Sequence, residues 1–591
     1  MKNIVFKGVA ICKGIAIGKP LFLEDEILYA KKNLNHEEIE SEIKRYKRAV
    51  KKSQIDLEHL QKRFLKDGVS VVVDILDAHL ELLHDPLITQ LVEEKIKSQK
   101  KNTESIFSDV IREYDKNFQE DDFFQERVKD IKDVSRRVLK NLYPHKQEER
   151  KNSYKDTIVI AKDLIPSDAL EDGFKDVCGF ITEKGGYSSH TAIIARAKHI
   201  PYIAKIDIEE IKKIDIDLIV IDSIKGEIHI NPTNDQLEYF REKQKLFLSY
   251  FEKIKKKVHL DAKTKDGIKI DVLANIESLN DIEIAKKNCA TGVGLFRSEY
   301  LFLTQKDYPT EENQFLIYKE LLQSMGKAPV TIRLFDIGAD KSHLFIEGAR
   351  TTFRIDDEKL KKTPSLGSRG IRFLIKNKNL LEDQLKALLR ASVYGNLKIL
   401  IPLVSDLNEL LFIKDEIKRL RDLLTQAGNE VKKDIPLGCM IEVPSAAIMS
   451  DLLAKEADFF SIGTNDLTQY VTASNRANPD TSHLYDYSHP SLLRFIKISA
   501  EAAIKNGIGL SLCGEMAADI KFTPLLIGMG IKEFSLSPNH IPSLKHAIRN
   551  IDTKEAIEVA KRALSYTTSS DLKSFFKSQR SFFLTKSEKE C

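Results

Sequence analysis

The C-terminal half of the chain repeats one unit, a short apolar strand followed by an amphipathic stretch, and this rhythm restricts the fold more than any other feature. The candidate strands are IKIDVLANI, TGVGLFRSE, PVTIRLFD, NLKILIPLV, PLGCMIEV, DFFSIGTND, GIGLSLCGE and EFSLS, and segments such as SLNDIEIAKK and DLNELLFIKDEIKRLRDLL separate most of them. Near-continuous apolar runs suit strands covered on both faces, and the helices between them supply the crossovers that parallel strands need. Eight such units predict a closed (β/α)8 barrel over residues 261–575, followed by a tail at 576–591. A long insertion between the third and fourth strands, containing TPSLGSRGIRF, is expected to form a lid or a loop at the mouth.

Barrels of this kind place their chemistry at the C-terminal ends of the strands. Those ends carry Arg297, Arg333, Asp336, Glu442, Asn465, Asp466 and Cys513, with Arg476 in the loop after the sixth strand. Arginines converging on one mouth predict a small polyanion, because the guanidinium fork matches phosphate and carboxylate oxygens. Glu442 and Asp466 offer two hard oxygen ligands and leave places for water and substrate oxygens, a pattern that suits Mg2+. One arginine at a strand end is more often a structural ion pair; polar groups from several strands at the same end point to function. Cys513 has two readings. It is an inert core thiol, or, near the reference pKa of about 8.5, a protonated group able to give a proton to an enolate.

The N-terminal half turns on GGYSSHTAIIARA, residues 185–197. The preceding VCGFIT reads as a buried strand, Gly185 and Gly186 as a tight turn, and Ser188 or Ser189 as the cap of a helix with Ala192, Ile193, Ile194 and Ala197 on its apolar face. His190 then falls in the first helical turn, among backbone N–H groups that lack intrahelical partners. That position disfavours a positive charge on the ring and welcomes an anion, so a neutral imidazole there can act as a nucleophile toward a phosphoryl group. A capped helix with an ordinary histidine fits the stretch equally well.

Residues 1–20 and 146–232 read as one α/β domain, closing on a hairpin at Lys225-Gly226. The segment 21–145 has a different texture, charged and helical, with Ile39, Ile43, Tyr46, Val50, Leu57, Leu60 and Phe64 at spacings of three and four and with Asn35 and Glu38 able to cap the start. It is expected to be a compact helical bundle inserted into the α/β domain. Asp74, Asp77 and Glu81 line one side of a further helix, either as a solvated face or as a docking surface for a basic partner. Residues 233–260 read as one charged helix linking the halves.

Composition excludes several classes. A net charge of +4 over 591 residues is too small to make nucleic acid the main partner, and no apolar run reaches the ~18 residues of a membrane span. The N-terminus lacks the pattern of a signal peptide. Cys12, Cys178, Cys289, Cys439, Cys513 and Cys591 are scattered without a CxxC pair, which fits reduced thiols in a cytoplasmic protein.

Taken together, GGYSSHTAIIARA, GVGLFRSEYLF, RLFDIGADK, IEVPSAA, FFSIGTNDLTQY and LCGEM resemble enzyme I of the bacterial phosphoenolpyruvate-dependent sugar phosphotransferase system, in family order from about residue 5 to residue 575. The resemblance implies that phosphoenolpyruvate phosphorylates His190 in the presence of Mg2+, and that the phosphoryl group passes to a histidine of the small carrier protein HPr. It implies a substrate clamp of Arg297, Arg333 and Arg476 beside Asn465 and Asp466, metal ligands Glu442 and Asp466, and Cys513 as proton donor. Arg369 matches a further arginine near the substrate. The inserted bundle resembles the HPr-docking domain, with His79, Leu82, Asp85 and Arg127 at contact positions, and a homodimer through the barrel is expected. Tyr187, Lys205, Ser368 and Asn475 depart from the family pattern, where arginine, glycine, tryptophan and aspartate are usual. A dikinase or phosphoenolpyruvate synthase would need an ATP-grasp domain for which there is no obvious room. A phosphoenolpyruvate-sensing regulator without turnover is the alternative from another class.

Overall fold

The computed structural model describes residues 4–23, 32–67, 76, 79–80, 82–83, 86–117, 122–142, 156–164, 177–185, 190–197, 200–302, 309–337, 367–474, 481 and 484–583. The chain forms two units, one up to Tyr250 and one from Phe251, and the division falls inside the helix Asn234–Lys256.

The N-terminal unit is built on an eight-stranded mixed sheet. Its strands are β1 (Ile4–Lys7), β2 (Val9–Cys12), β3 (Ile15–Phe22), β4 (Thr157–Ala161), β5 (Val177–Thr182), β6 (Tyr202–Ala204), β7 (Ile219–Asp222) and β8 (Glu227–Ile230), in the order β1-β8-β7-β3-β4-β5-β6-β2. β3 and β4 are parallel neighbours, with Lys19 opposite Thr157 and Phe22 opposite Ile160. The helices Ile39–Asp67, Pro86–Gln99, Thr103–Asn117 and Asp122–Leu142 lie between them in sequence, so the helical segment is an insertion between two adjacent strands of one sheet. β7 and β8 form the hairpin, turning through Gly226 at φ +74°.

The first helix begins as the sequence predicts. Asn35 and Glu38 form a capping box around a short 3-10 turn, and Glu38 accepts the Asn35 N–H at 2.9 Å. Ile39, Ile43, Tyr46, Leu57 and Leu60 are buried, and Ser53, at the gap in the apolar stripe, turns its hydroxyl back to the Ala49 carbonyl at 2.8 Å. These residues share one core with Val159, Phe180, Ala192, Ile194 and Tyr202, while Ile158, Ile181 and Ile203 face a second core against Ile208 and Ile211. Alternation along β4 to β6 thus assigns one sheet face to each core. The acids Asp74, Asp77 and Glu81 and the side chains of Phe64, Asp85 and Arg127 lie outside the described residues. His79 does not offer a surface contact: it is 1% exposed, with Nδ1 3.8 Å from the Asp133 carboxylate.

The helix Asn234–Lys256 is fixed to the sheet by charge. Lys243 Nζ donates to Asp222 Oδ2 at 2.5 Å, both side chains being buried, and Gln244 donates to the Ile15 carbonyl at 2.9 Å. Removing one partner of such a pair strands the other in low dielectric, at about 3–5 kcal/mol.

The C-terminal unit is a closed barrel of eight parallel strands: β9 (Asp271–Ile276), β10 (Val293–Arg297), β11 (Pro329–Arg333), β12 (Asn396–Ile401), β13 (Leu437–Ile441), β14 (Phe459–Gly463), β15 (Gly509–Cys513) and β16 (Glu533–Leu536). All eight lie within the segments read from sequence, and β16 returns to pair with β9. Leu295, Leu400, Met440, Phe459 and Cys513 form a cluster from five strands, while a much larger core joins the strands to the surrounding helices. The insertion's TPSLG stretch lies outside the described residues up to Leu366.

Lys205, just after β6, sits at φ +65°. Left-handed backbone costs an L-residue roughly 1–2 kcal/mol, which gives the glycine usual at this position a physical cause. Lys205→Gly is therefore expected to hold or raise stability by up to about 1 kcal/mol, and the β-branched Lys205→Val to lower it by more than that. Urea midpoints of the two variants check the order.

Candidate active site

The chemistry-bearing residues meet at one end of the barrel because parallel strands all terminate there. Arg297 closes β10, Arg333 closes β11, and the two are opposite in register, which sets their backbones about 4.8 Å apart. Cys513 closes β15 opposite Gly463, the last residue of β14. Glu442 follows β13, and Asn465 and Asp466 follow β14.

Arg333 is 5% exposed, and a guanidinium in that position needs carboxylates. Its Nη2 donates to Glu299 at 2.6 Å and its Nη1 lies 3.3 Å from Asp336. Glu299 also accepts the Asp336 backbone N–H at 2.6 Å, so a single carboxylate fixes the arginine and its second partner. Arg369 grips both oxygens of Asp336, at 2.9 and 2.8 Å, and extends its remaining arm to Asp466 at 3.0 Å. Arg297 is more open and pairs with Glu277. Among the described residues, the buried Nε of Arg333 has no partner, a donor left over at the mouth. Arg476 and Asn475 lie outside the described residues.

Glu442 is buried and accepts the Leu403 N–H at 2.8 Å, and Leu403 adopts φ +52°, a strained geometry that aims this donor. Burial first, and then the charges of Asp466 and Asp336, push the Glu442 carboxyl up to about 8. Repelling carboxylates in a desolvated site are relieved by a divalent cation, so Glu442 and Asp466 fit Mg2+ with water and substrate oxygens completing the shell. Among the described residues no group of three or more histidine, cysteine, aspartate or glutamate side chains is arranged to hold a metal by itself.

Cys513 belongs at once to the interior and to the mouth. Its Sγ receives the Ser461 hydroxyl at 3.4 Å and donates to the Ile462 carbonyl at 3.5 Å. Burial pushes the thiol up to about 11, with Glu442, Arg333 and Arg297 near enough to act on its charge. At neutral pH it carries its proton. Asn465 accepts from Tyr487 at 2.8 Å and from the Glu515 N–H at 3.0 Å, which fixes its amide plane and leaves the NH2 group without a partner among the described residues.

In the N-terminal unit, the helix His190–Ala197 follows β5 and Gly185, which takes φ +129°. His190 is its first residue, with Ala192, Ile194 and Ala195 buried behind it. Gly186, Tyr187, Ser188, Ser189 and the His190 side chain lie outside the described residues.

Residues 252–553 match the family described as PEP-utilising enzyme, PEP-binding domain; residues 7–127 match its N-terminal domain and residues 154–226 its mobile domain. A Listeria innocua protein named phosphoenolpyruvate-protein phosphotransferase is 37% identical over 96% of this chain and 97% of its own. Proteins of the same name from Staphylococcus aureus and Staphylococcus epidermidis are 35% and 34% identical, each over 96% of this chain and 98% of its own. The chain belongs to the phosphoenolpyruvate-protein phosphotransferases.

For a phosphotransferase of this family, the sequence names candidate groups at the mouth but not what holds them. Glu299 and Glu277 were missed, although GLFRSEYLF places an acid two residues after Arg297. The partners of Arg369 were equally invisible, because they are reached across the insertion. Ser461 gave no signal beyond its place in FFSIG.

Gly463 supplies a test of how tightly the site is built. A Cβ there would lie 2.7 Å from Glu442 Oε2 and 2.8 Å from its Cβ. Gly463→Ala should displace the carboxylate from the Leu403 N–H, with overpacking of about 1–3 kcal/mol. The expected result is at least a ~10-fold higher Mg2+ requirement in a folded protein, about one charge-assisted contact's worth. Mg2+ titration of phosphotransfer, beside a thermal melt, measures it.

Proposed function

We propose that the barrel mouth binds phosphoenolpyruvate with Mg2+, that His190 takes its phosphoryl group, and that phospho-His190 passes this group to a histidine of HPr, with pyruvate released. This is the first step of a sugar phosphotransferase system. The observation that carries the reading is the pairing of a fixed guanidinium cluster with a protonated buried thiol in the same neighbourhood. Arg297, Arg333 and Arg369, with Arg476 expected to join them, match the carboxylate and phosphate oxygens of the substrate. Asn465 offers its free N–H groups to the same oxygens. Glu442 and Asp466 would hold the metal, whose positive charge would offset the phosphate and enolate oxygens.

Loss of the phosphoryl group to His190 Nε2 or Nδ1 leaves the enolate of pyruvate. The Cys513 thiol gives its proton to C3 of that enolate, and the Ser461 hydroxyl, already aimed at Sγ, stabilises the thiolate left behind. Because His190 belongs to one unit and the mouth to the other, in-line transfer requires the two to come into near contact and then part again. The helix at residues 233–260 is the connection on which such a motion would act.

The scattered free thiols, and the lack of a described helix long and apolar enough to cross a membrane, agree with action in the cytoplasm. Ile448 and Leu452 stand 58% and 40% exposed on the barrel's outer helices, which supports a homodimer through that domain; sedimentation velocity checks it. No residue assigned to the chemistry is missing, so nothing favours a sensor without turnover.

His190→Ala should incorporate no label from radiolabelled phosphoenolpyruvate while its circular dichroism stays that of the parent. Full incorporation would overturn the assignment. Cys513→Ala should separate the two half-reactions. Label should still reach His190, while proton exchange at C3 of pyruvate, followed by NMR, falls by about 10²-fold or more. Unimpaired exchange would reduce Cys513 to a packing residue.

A further inference from the structure

A hollow of about 450 Å³ lies at the end of the barrel opposite the mouth, bordered by Lys398 near the start of β12, Pro436 before β13, and Phe459 and Gly509 at the starts of β14 and β15. Strands of five residues at about 3.3 Å per residue place it on the order of 15 Å from the catalytic groups. Its size falls within the usual range of small-molecule sites, roughly 300–1,000 Å³.

We infer that this hollow is a second anion site, taking a small molecule with several phosphate or carboxylate oxygens. Four cations border it, Lys398, Arg421, Lys432 and Lys433, against the two carboxylates Asp434 and Asp458. Asp458 already uses one oxygen on the Leu437 N–H, at 2.7 Å. Lys398 is two residues before Leu400, which belongs to the interior cluster, so alternation turns it inward as well; its ammonium lies 5.2 Å from the Phe459 ring centre. Neither Lys398 nor Lys433 has a carboxylate partner among the described residues. A surface that gathers like charges without pairing them raises its own electrostatic energy, and a polyanion is the ligand that lowers it.

Two of the four cations, Arg421 and Lys432, are also held in place. Arg421 Nη1 donates to the Lys433 carbonyl at 2.8 Å, Lys432 Nζ to the Gly395 carbonyl at 2.5 Å, and the Lys432 N–H to Ser392 Oγ at 3.0 Å. These three bonds pin the segment entering β13 against the base of the barrel. Bonding to carbonyls rather than carboxylates leaves the positive charges uncompensated. Arg421 keeps most of its five donors for a ligand, apart from a distant contact to Asp422 at 3.8 Å. The order built into this rim reduces what a ligand must immobilise on binding.

Isothermal titration of the full chain with pyrophosphate, and separately with citrate, tests the site and distinguishes phosphate from carboxylate ligands. Arg297→Ala reports on the mouth, Lys398→Gln and Lys433→Gln on the hollow. Binding of either anion that survives Arg297→Ala and weakens about tenfold or more in the double lysine variant supports the site. Binding to both anions assigns it to polyanions in general, and binding to one assigns the class. Binding lost in Arg297→Ala and unchanged in the lysine variants would mean that the mouth alone takes the anion, and the inference fails. It fails equally if neither anion binds. Should Lys398→Gln not fold, the exposed Lys433→Gln alone carries the comparison, with the same decrease expected in direction.

Discussion

The mouth of this barrel depends on the carboxylate of Glu299. A guanidinium buried as deeply as that of Arg333 is costly unless opposite charge faces it, and Glu299, after β10, and Asp336, after β11, provide that charge. Glu299 reaches Asp336 through the backbone N–H as well, and Asp336 then anchors Arg369. Arg369 links the far end of the long insertion to Asp466, beyond β14. A chain of ion pairs therefore ties together elements far apart in sequence. The arginines are fixed before any substrate arrives, so an incoming anion meets charges that need little reorganisation.

The same low dielectric shifts the titration of the neighbouring acid and thiol. Burial raises the thiol of Cys513, which keeps it protonated at neutral pH. Burial and the neighbouring acids Asp466 and Asp336 raise the Glu442 carboxyl. One environment thus acts in two ways: arginines remain charged because carboxylates face them, whereas the Glu442 carboxyl and the Cys513 thiol are both pushed up. In the N-terminal unit the corresponding feature is local: Gly185, at φ +129°, follows β5, and the helix His190–Ala197 begins at the histidine.

Much of this architecture is legible in the chain because it rests on local patterning. The apolar runs locate all eight barrel strands, and the asparagine–glutamate spacing locates the capping box at Asn35 and Glu38. Lys205 was marked by its departure from a family glycine, and its positive φ supplies the reason. His79 shows where such reading stops. The family resemblance implied a contact position for it, yet it is enclosed beside Asp133, from a different helix.

The sequence by itself determined the strand count, the strand-end positions of Arg297, Arg333 and Cys513, and the helix start at His190, because periodicity, turns and caps depend on neighbours a few residues apart. Tertiary structure decided which carboxylate each arginine takes, the direction in which Glu442 and Cys513 are shifted, and that Lys398 and Lys433 share a rim without a carboxylate partner among the described residues. Those properties depend on dielectric and on distances between segments tens to hundreds of residues apart, and such distances exist only once the barrel has closed.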